Sequence, residues 1–385
     1  MLLIKVLFGT VSRLARFSQE LICKIMAFSI VAGAIAASAA ADAPSYQLHV
    51  PKGYICYRAT SPIVVDGRLD DKAWEAAPWT DDFVDIEGDA KPRPPLRTRA
   101  KMLWDDDYLY VGAYLDEPHV WATLTEHDSV IYHDNDFEIF IDPDGDNHNY
   151  YEIELNAYGT EWDLLLVKPY RDGGPPLNSW EIPGLKLATH VDGIINDPSQ
   201  VDQGWSVEVA IPWNVLAEYA NRSTPPQDGD QWRINFSRVE WDVDVVDNAY
   251  KKVPDTPEHN WVWTPQGAID MHRPEHWGFL QFSTSPAGSA IFHPDLFFPV
   301  RDWLMRAYYA QIDYRDRFDF WAKSIDLLDL GPVPDKMPGS PPIDILGPPI
   351  LKLMPPGYEI EVDCRTRHGR KVRLHVRDDS RLWQD

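Results

Sequence analysis

Residues 134–156 read DNDFEIFIDPDGDNHNYYEIELN, with eight carboxylates among twenty-three positions, interleaved with aromatic and aliphatic residues. Side chains in a strand alternate between two faces. Phe137, Ile139 and Ile141 therefore share one face, and Tyr151, Ile153 and Leu155 match them on the next strand. That face belongs in a core. The opposite face presents Asp136, Glu138, Phe140, Glu152, Glu154 and Asn156, a mixture fit for solvent or for a ligand. Between the strands lies PDGDNHN, a turn rich in Asp, Asn and Gly.

The same pattern spreads in both directions. RTRAKMLW, YLYVGAYL, WDLLLV, LKLATHV, WSVEVAI, WRINFSRVEW and WGFLQF all read as short strands between turn residues. PIVVDG reads as a further strand ending in an Asp-Gly turn, and LDDKAWEAA as a helical piece. Short strands at this spacing, without βαβ alternation or a Gly-rich phosphate loop, predict an all-β fold: a jelly-roll-like antiparallel β-sandwich over residues 42–284. After Ser283 the character changes. Residues 300–330 carry apolar residues at helical spacing (Trp303, Leu304, Ala307, Tyr308, Ile312), a Pro-rich loop follows, and the tail turns as a hairpin near His368-Gly369. Residues 290–385 are thus a C-terminal extension of helix, Pro-rich loop and β-hairpin.

The 385 residues carry 36 Lys plus Arg against 60 Asp plus Glu, a net charge of −24, which disfavours nucleic acid and anionic membrane surfaces as partners. Sixteen Trp and seventeen Tyr point to a β-rich core or to flat binding platforms. Lys24 precedes the small, apolar run IMAFSIVAGAIAASAAADA, which ends in small-x-small sites such as Ala37-Ser38-Ala39. Residues 1–41 read as a signal peptide or anchor, so the mature chain is expected to be secreted, periplasmic or on the cell surface, without an integral membrane domain. Cleavage leaves Cys56 and Cys364, either a disulfide across the mature chain or two buried free thiols.

Carboxylates and amides accept hydrogen bonds from hydroxyl groups, and aromatic rings stack on the C–H faces of a pyranose. The polar face above has both chemistries. Five motifs in order then carry a resemblance: VDGRLDDKAWEAAPW (65–79), DNDFEIFIDPDGD (134–146), GWSVEVAIPWNVL (204–216), GDQWRINFSRVEW (229–241) and NWVWTPQGAIDMHRPEHWGFLQF (260–282). From about Pro62 to Ser283 the chain resembles the family 9 carbohydrate-binding modules, and more closely the family-9-like group of exported bacterial proteins. The resemblance implies a β-sandwich whose concave site clamps a terminal sugar between two rings. It places Tyr132 at one ring and Glu138 at a hydroxyl-binding acid. Trp263 is the choice for the second ring, with Trp261 as fallback. Glu154 and Asn156 lie beside Glu138, with Arg238 and Trp162 at the border. Glu154 stands where the family carries a basic residue.

The implied role is non-catalytic capture of a polysaccharide or oligosaccharide, xylan-like material included, beside glycoside hydrolases. Two other classes stay open: a structural or interaction sandwich without sugar binding, and a glycoside hydrolase using Glu138 and Glu154 as its carboxylate pair. No cofactor is required. Asp142, Asp144 and Asp146 sit at alternate positions, as in a turn that wraps calcium, and family members carry structural calcium; the competing reading is a solvated hairpin turn.

Overall fold

The computed structural model describes Leu48 and residues 50–385. The signal or anchor expected over residues 1–41 lies outside the described residues. Among those described, no helix is long and apolar enough to cross a membrane.

The quoted stretch forms β5 (Asp136–Asp142) and β6 (Tyr150–Asn156), paired antiparallel with Glu138 opposite Glu154 and Ile139 opposite Ile153. Around them runs one half of the sandwich: β8 (Pro176–Leu177), β7 (Glu161–Leu166), β6, β5, β11 (Gln231–Glu240) and β15 (Gly278–Ser283). The other half is β3 (Thr98–Trp104), β4 (Tyr108–Asp116), β10 (Gly204–Pro212) and β9 (Lys186–Asp192). β1 (Gly53–Arg58), inside what the sequence presented as a lead-in, joins the halves by running parallel to both β15 and β3. The other pairings are antiparallel. β14 (His259–Val262) adds to β11 and carries β2 (Val84–Asp85). Phe137, Ile139, Ile141, Tyr151, Ile153 and Leu155 meet Met102, Val111, Val207 and Val209 of the opposite half in one core.

The helical piece expected around Trp74 is only the 3-10 turn Lys72–Ala76, and PIVVDG forms no strand. Both depart from expectation for one reason: the segment is tied flat onto the outer face of β10. Buried Glu208 accepts the backbone N–H groups of Asp66 and Gly67 at 2.9 and 3.1 Å and the Trp74 indole N–H at 2.7 Å. These bonds replace a strand ladder. Gly67 has φ +86°, and a Cβ there would lie 2.4 Å from the Thr189 backbone, so the turn requires glycine.

The extension contains α2 (Phe298–Phe318), which follows the four-residue α1 (Trp213–Leu216) in chain order. Its sheet consists of β16 (Asp344–Ile345), β17 (Ile350–Met354), β18 (Gly357–Arg365), β19 (Lys371–Arg377) and β20 (Leu382–Gln384). Trp303, Leu304, Ala307 and Tyr308 of α2 pack on Tyr358, Ile360, Val362 and Leu374 as a second core. Cys56 lies in the first core and Cys364 in the second, both free. Of the two readings of this pair, the structure has the buried free thiols: each is surrounded by its own apolar cluster, and burial pushes Cys364 up to about 12.

The extension docks on the acidic turn between β5 and β6. Arg381 donates to Asp146 at 2.9 Å, the Leu382 N–H to the Asp146 carbonyl at 3.0 Å, and Asn147 to the Ser380 carbonyl at 3.0 Å. Residues 50–385 are accordingly one compact unit. Removing residues 290–385 is expected to lower the Tm of the remaining chain sharply, measured by thermal unfolding. A truncated sandwich as stable as the full chain would show that the two cores stand independently.

Candidate functional site

The polar face of β5 and β6 is not open surface. It floors a cleft of about 340 Å³ lined by Tyr132, Glu138, Phe140, Glu152, Glu154, Trp162, Tyr170, Val239, Glu258, Asn260, Met271 and His272. Strand register sets the floor. One row across the sheet is Ser237, Glu138, Glu154, Trp162, and the next is Asn235, Phe140, Glu152, Leu164. Glu138, Glu152 and Glu154 are buried despite opening on this space, and Asp136 is fully buried beside them.

The walls come from irregular segments. Tyr132 sits on the 3-10 turn Ile131–His133; its N–H donates to Glu154 at 3.1 Å and its carbonyl accepts the Trp241 indole N–H at 2.9 Å. Tyr170 opens the turn after β7, edge-on to His272 with ring centroids 4.5 Å apart. Tyr132 and Tyr170 are 39% and 44% exposed, so their rings are available to a ligand. His272 is hydrogen-bonded to the Tyr150 hydroxyl at 2.9 Å, and burial with the nearby Arg171 charge pushes it down to about 3, which keeps it neutral.

Behind this wall the extension makes its second contact with the sandwich. Arg171 donates to the His272 carbonyl at 2.5 Å and to Glu275 at 3.1 Å. Tyr309 of α2 donates to Glu275, and Tyr308 and Ser380 donate to Asp172. Burial alone would raise Glu275, but Arg171, His276, Arg273 and the Tyr309 hydroxyl hold it down to about 2. The loop carrying Met271 and His272 is thus fixed by charged groups that the extension completes.

Four of the expected site residues converge here: Tyr132, Glu138, Glu154 and Trp162. Four do not. Trp263 is buried in the core against Phe236, at a centroid distance of 6.1 Å, and its ring fills the space where Gly278 would carry a Cβ. Trp261 is also buried, beneath the Arg238 guanidinium at 5.1 Å. Neither faces Tyr132 as a second clamp ring. Arg238 shares the parity of Phe236 and so points between the sheets, where it pairs with Glu117 at 2.6 Å and Glu240 at 2.8 Å. Asn156 is consumed by its own turn: its amide donates to Leu124 and Asp134 and accepts from Tyr158 and Thr160. Tyr170, Glu152 and His272 were not foreseen as sugar contacts. Glu152 lay on the named face, whereas the other two reach the cleft only through loops.

The aspartate turn is arranged for docking. Asp142, Asp144 and Asp146 bring one oxygen each within 4.8 Å of the others, close enough for a shared ion. Their approaches are nevertheless filled. Asp142 accepts the N–H groups of Gly145 and Asn147, Asp144 accepts the Asn221 amide, and Asp146 accepts the His148 N–H and the Arg381 guanidinium. A calcium ion there would meet the Arg381 charge, so these residues fit one poorly.

A sandwich with a ring-walled, acid-floored concave face has the architecture of a carbohydrate-binding domain. The sequence profile described as Carbohydrate family 9 binding domain-like matches residues 65–280, and the chain belongs to that family. Among curated relatives, exoglucanase XynX of Acetivibrio thermocellus is 27% identical over 153 residues, 40% of this chain and 12% of that protein. Endo-1,4-beta-xylanase A of Thermoanaerobacterium saccharolyticum is 28% identical over 116 residues, 30% of this chain and 8% of that protein. The chain thus spans only about a tenth of the length of these relatives. A family 9 carbohydrate-binding module of Caldicellulosiruptor kristjanssonii in complex with cellotriose is 16% identical, with a TM-score of 0.40, over 63% of this chain and 100% of that one.

Burial raises Glu138 to about 7 against a hydrogen bond from Ser237, and burial together with the neighbouring acids pushes Glu152, Glu154 and Asp136 well above the usual carboxylate range. The folded state therefore holds protons that the unfolded state releases, and stability falls as pH rises from the ordinary carboxylate value through about 7. Tm is expected to drop between about pH 5 and about pH 8, and Glu152→Gln to raise Tm at the upper end and flatten the profile. A wild-type Tm independent of pH across that range would contradict this account.

Proposed function

We propose that the chain binds carbohydrate without cleaving it, holding one sugar residue in the cleft between Tyr132 and Tyr170, with Trp162 beside it. It acts outside the cytoplasm, keeping polysaccharide or its fragments near degrading enzymes or the cell envelope; xylan-type and glucan-type chains are the first materials to try. The observation that carries the reading is the union, on one concave face, of partly exposed rings and buried hydrogen-bond acceptors. Rings without acceptors would describe a greasy patch, and acceptors without rings a solvated surface. Export is supported by the composition of residues 24–43, as read from the sequence.

Cleavage is the weaker reading. A retaining glycosidase separates the pKa values of its two carboxyl groups, so that one is an acid and the other ionised. Glu138 and Glu154 are shifted in the same direction by the same cause, and neither has an ionising partner such as an arginine. That arrangement suits two acceptors or shared protons better than an acid and a nucleophile.

Affinity electrophoresis in gels containing soluble xylan, mixed-linkage glucan and chitosan is the test. Retardation in at least one gel is expected. Tyr132→Ala and Tyr170→Ala should each weaken it by roughly tenfold while leaving Tm close to that of the parent chain. Trp263→Ala should instead unfold the domain, losing about 3–5 kcal/mol as other large core truncations do. No retardation on any polysaccharide, or retardation unchanged in both tyrosine variants, removes the reading.

A further inference from the structure

The floor of the cleft has an excess of acid. Glu138, Glu152 and Glu154 open on the space and Glu258 stands at its rim, while among the described residues no lysine or arginine lines it. Oxygens of Asp136, Glu138 and Glu154 lie within 4.8 Å of one another. Among the described residues, one oxygen of Glu152 and one of Asp136 are buried without a hydrogen-bond partner. The neighbouring cations lie outside the lining. Arg238 faces the sheet interior and Arg171 is tied to Glu275 behind the wall; Lys252, 3.4 Å from the centroid of the Trp241 ring, is close enough to interact with Glu258 and Asp136 but does not line the cleft.

Buried carboxylates without partners are costly, and a structure that keeps several together implies that something positive completes them. Resting on the reading of this cleft as the sugar site, we infer that its preferred ligand is a sugar bearing a free, protonated amine, as in de-N-acetylated hexosamine polymers. An ammonium group offers three donors, matching the acceptors on adjacent strands, and forms charge-assisted bonds with each. The surrounding rings of Tyr132, Tyr170 and Trp162 attract a cation by their faces and cover the apolar ring of the sugar. A neutral hydroxyl can bond to these acids in their protonated form, whereas only a cation favours their ionised form and completes it. N-acetylation removes the charge and adds bulk at that atom. A bare divalent ion would use the acids but not the rings, and the cleft of about 340 Å³ is far larger than an ion needs.

The test is calorimetric titration of the full chain near pH 6.5 with three oligomers of equal length: glucosamine, N-acetylglucosamine and cellooligosaccharide. Calcium chloride is titrated alone as a fourth arm. The glucosamine oligomer is expected to bind about tenfold or more tighter than either neutral one. Glu154→Gln and Glu138→Gln should abolish that preference while the fold, followed by thermal unfolding, stays intact. Equal or tighter binding of a neutral oligomer overturns the amine preference and leaves the sugar site standing. Saturable calcium binding that is lost in Glu154→Gln also overturns it, in favour of a metal. Failure of all three oligomers, together with no retardation on any polysaccharide gel, takes down the site itself.

Discussion

Strict two-residue alternation along β5 and β6 governs everything built on them. Placing Ile139, Ile141 and Ile153 against the opposite half of the sandwich leaves no choice for the residues between, which must face the other way. Elsewhere that would be a solvated surface. Here the Tyr132 turn, the Tyr170 turn and the Met271–His272 loop close over it, so four acids are held in a poorly solvated space. A register slip of one residue would bring the same acids into the core, at a cost no neighbouring cation could offset. Site and core are thus two faces of one constraint.

The two ends of this strand pair serve different purposes. The Glu138 and Glu154 row opens on the cleft, while the turn from Asp142 to Asn149 receives the extension. α2 then reaches the cleft wall by a second route, through Tyr308 and Tyr309 to Asp172 and Glu275, and from Glu275 through Arg171 to the His272 backbone. The extension contributes no lining residue, yet it completes the charged network that holds a lining loop in place.

Much of this was readable in the sequence because it is local. The strands β3 to β7, β9 to β11 and β15, the helix near Trp303 and the hairpin turning at Gly369 follow from periodicity and turn residues. Glu138, Glu154 and Trp162 share a face by parity across paired strands, whereas Tyr132 was placed by the family resemblance and not by any local pattern. The misplacements are non-local. Trp261 and Trp263 looked like loop aromatics until β14 pairing with β11 turned them inward. Arg238 obeys the same alternation as Glu138, but its strand meets the core with the opposite parity. Asn156 lost its availability to Leu124 and Asp134, 32 and 22 residues earlier, as well as to its own turn. Tyr170 and His272 sit at distant points of the chain, and only the closed sandwich brings their rings within 4.5 Å.

Arg381, Leu382 and Asn147 stitch the tail of the chain to the hairpin that bears the acids, so the boundary near Ser283 divides two cores but not two separate surfaces. A gene fusion that cut there would not transplant a finished unit. It would strip a hydrogen-bonded cover from a crowded aspartate corner and loosen the scaffold behind His272.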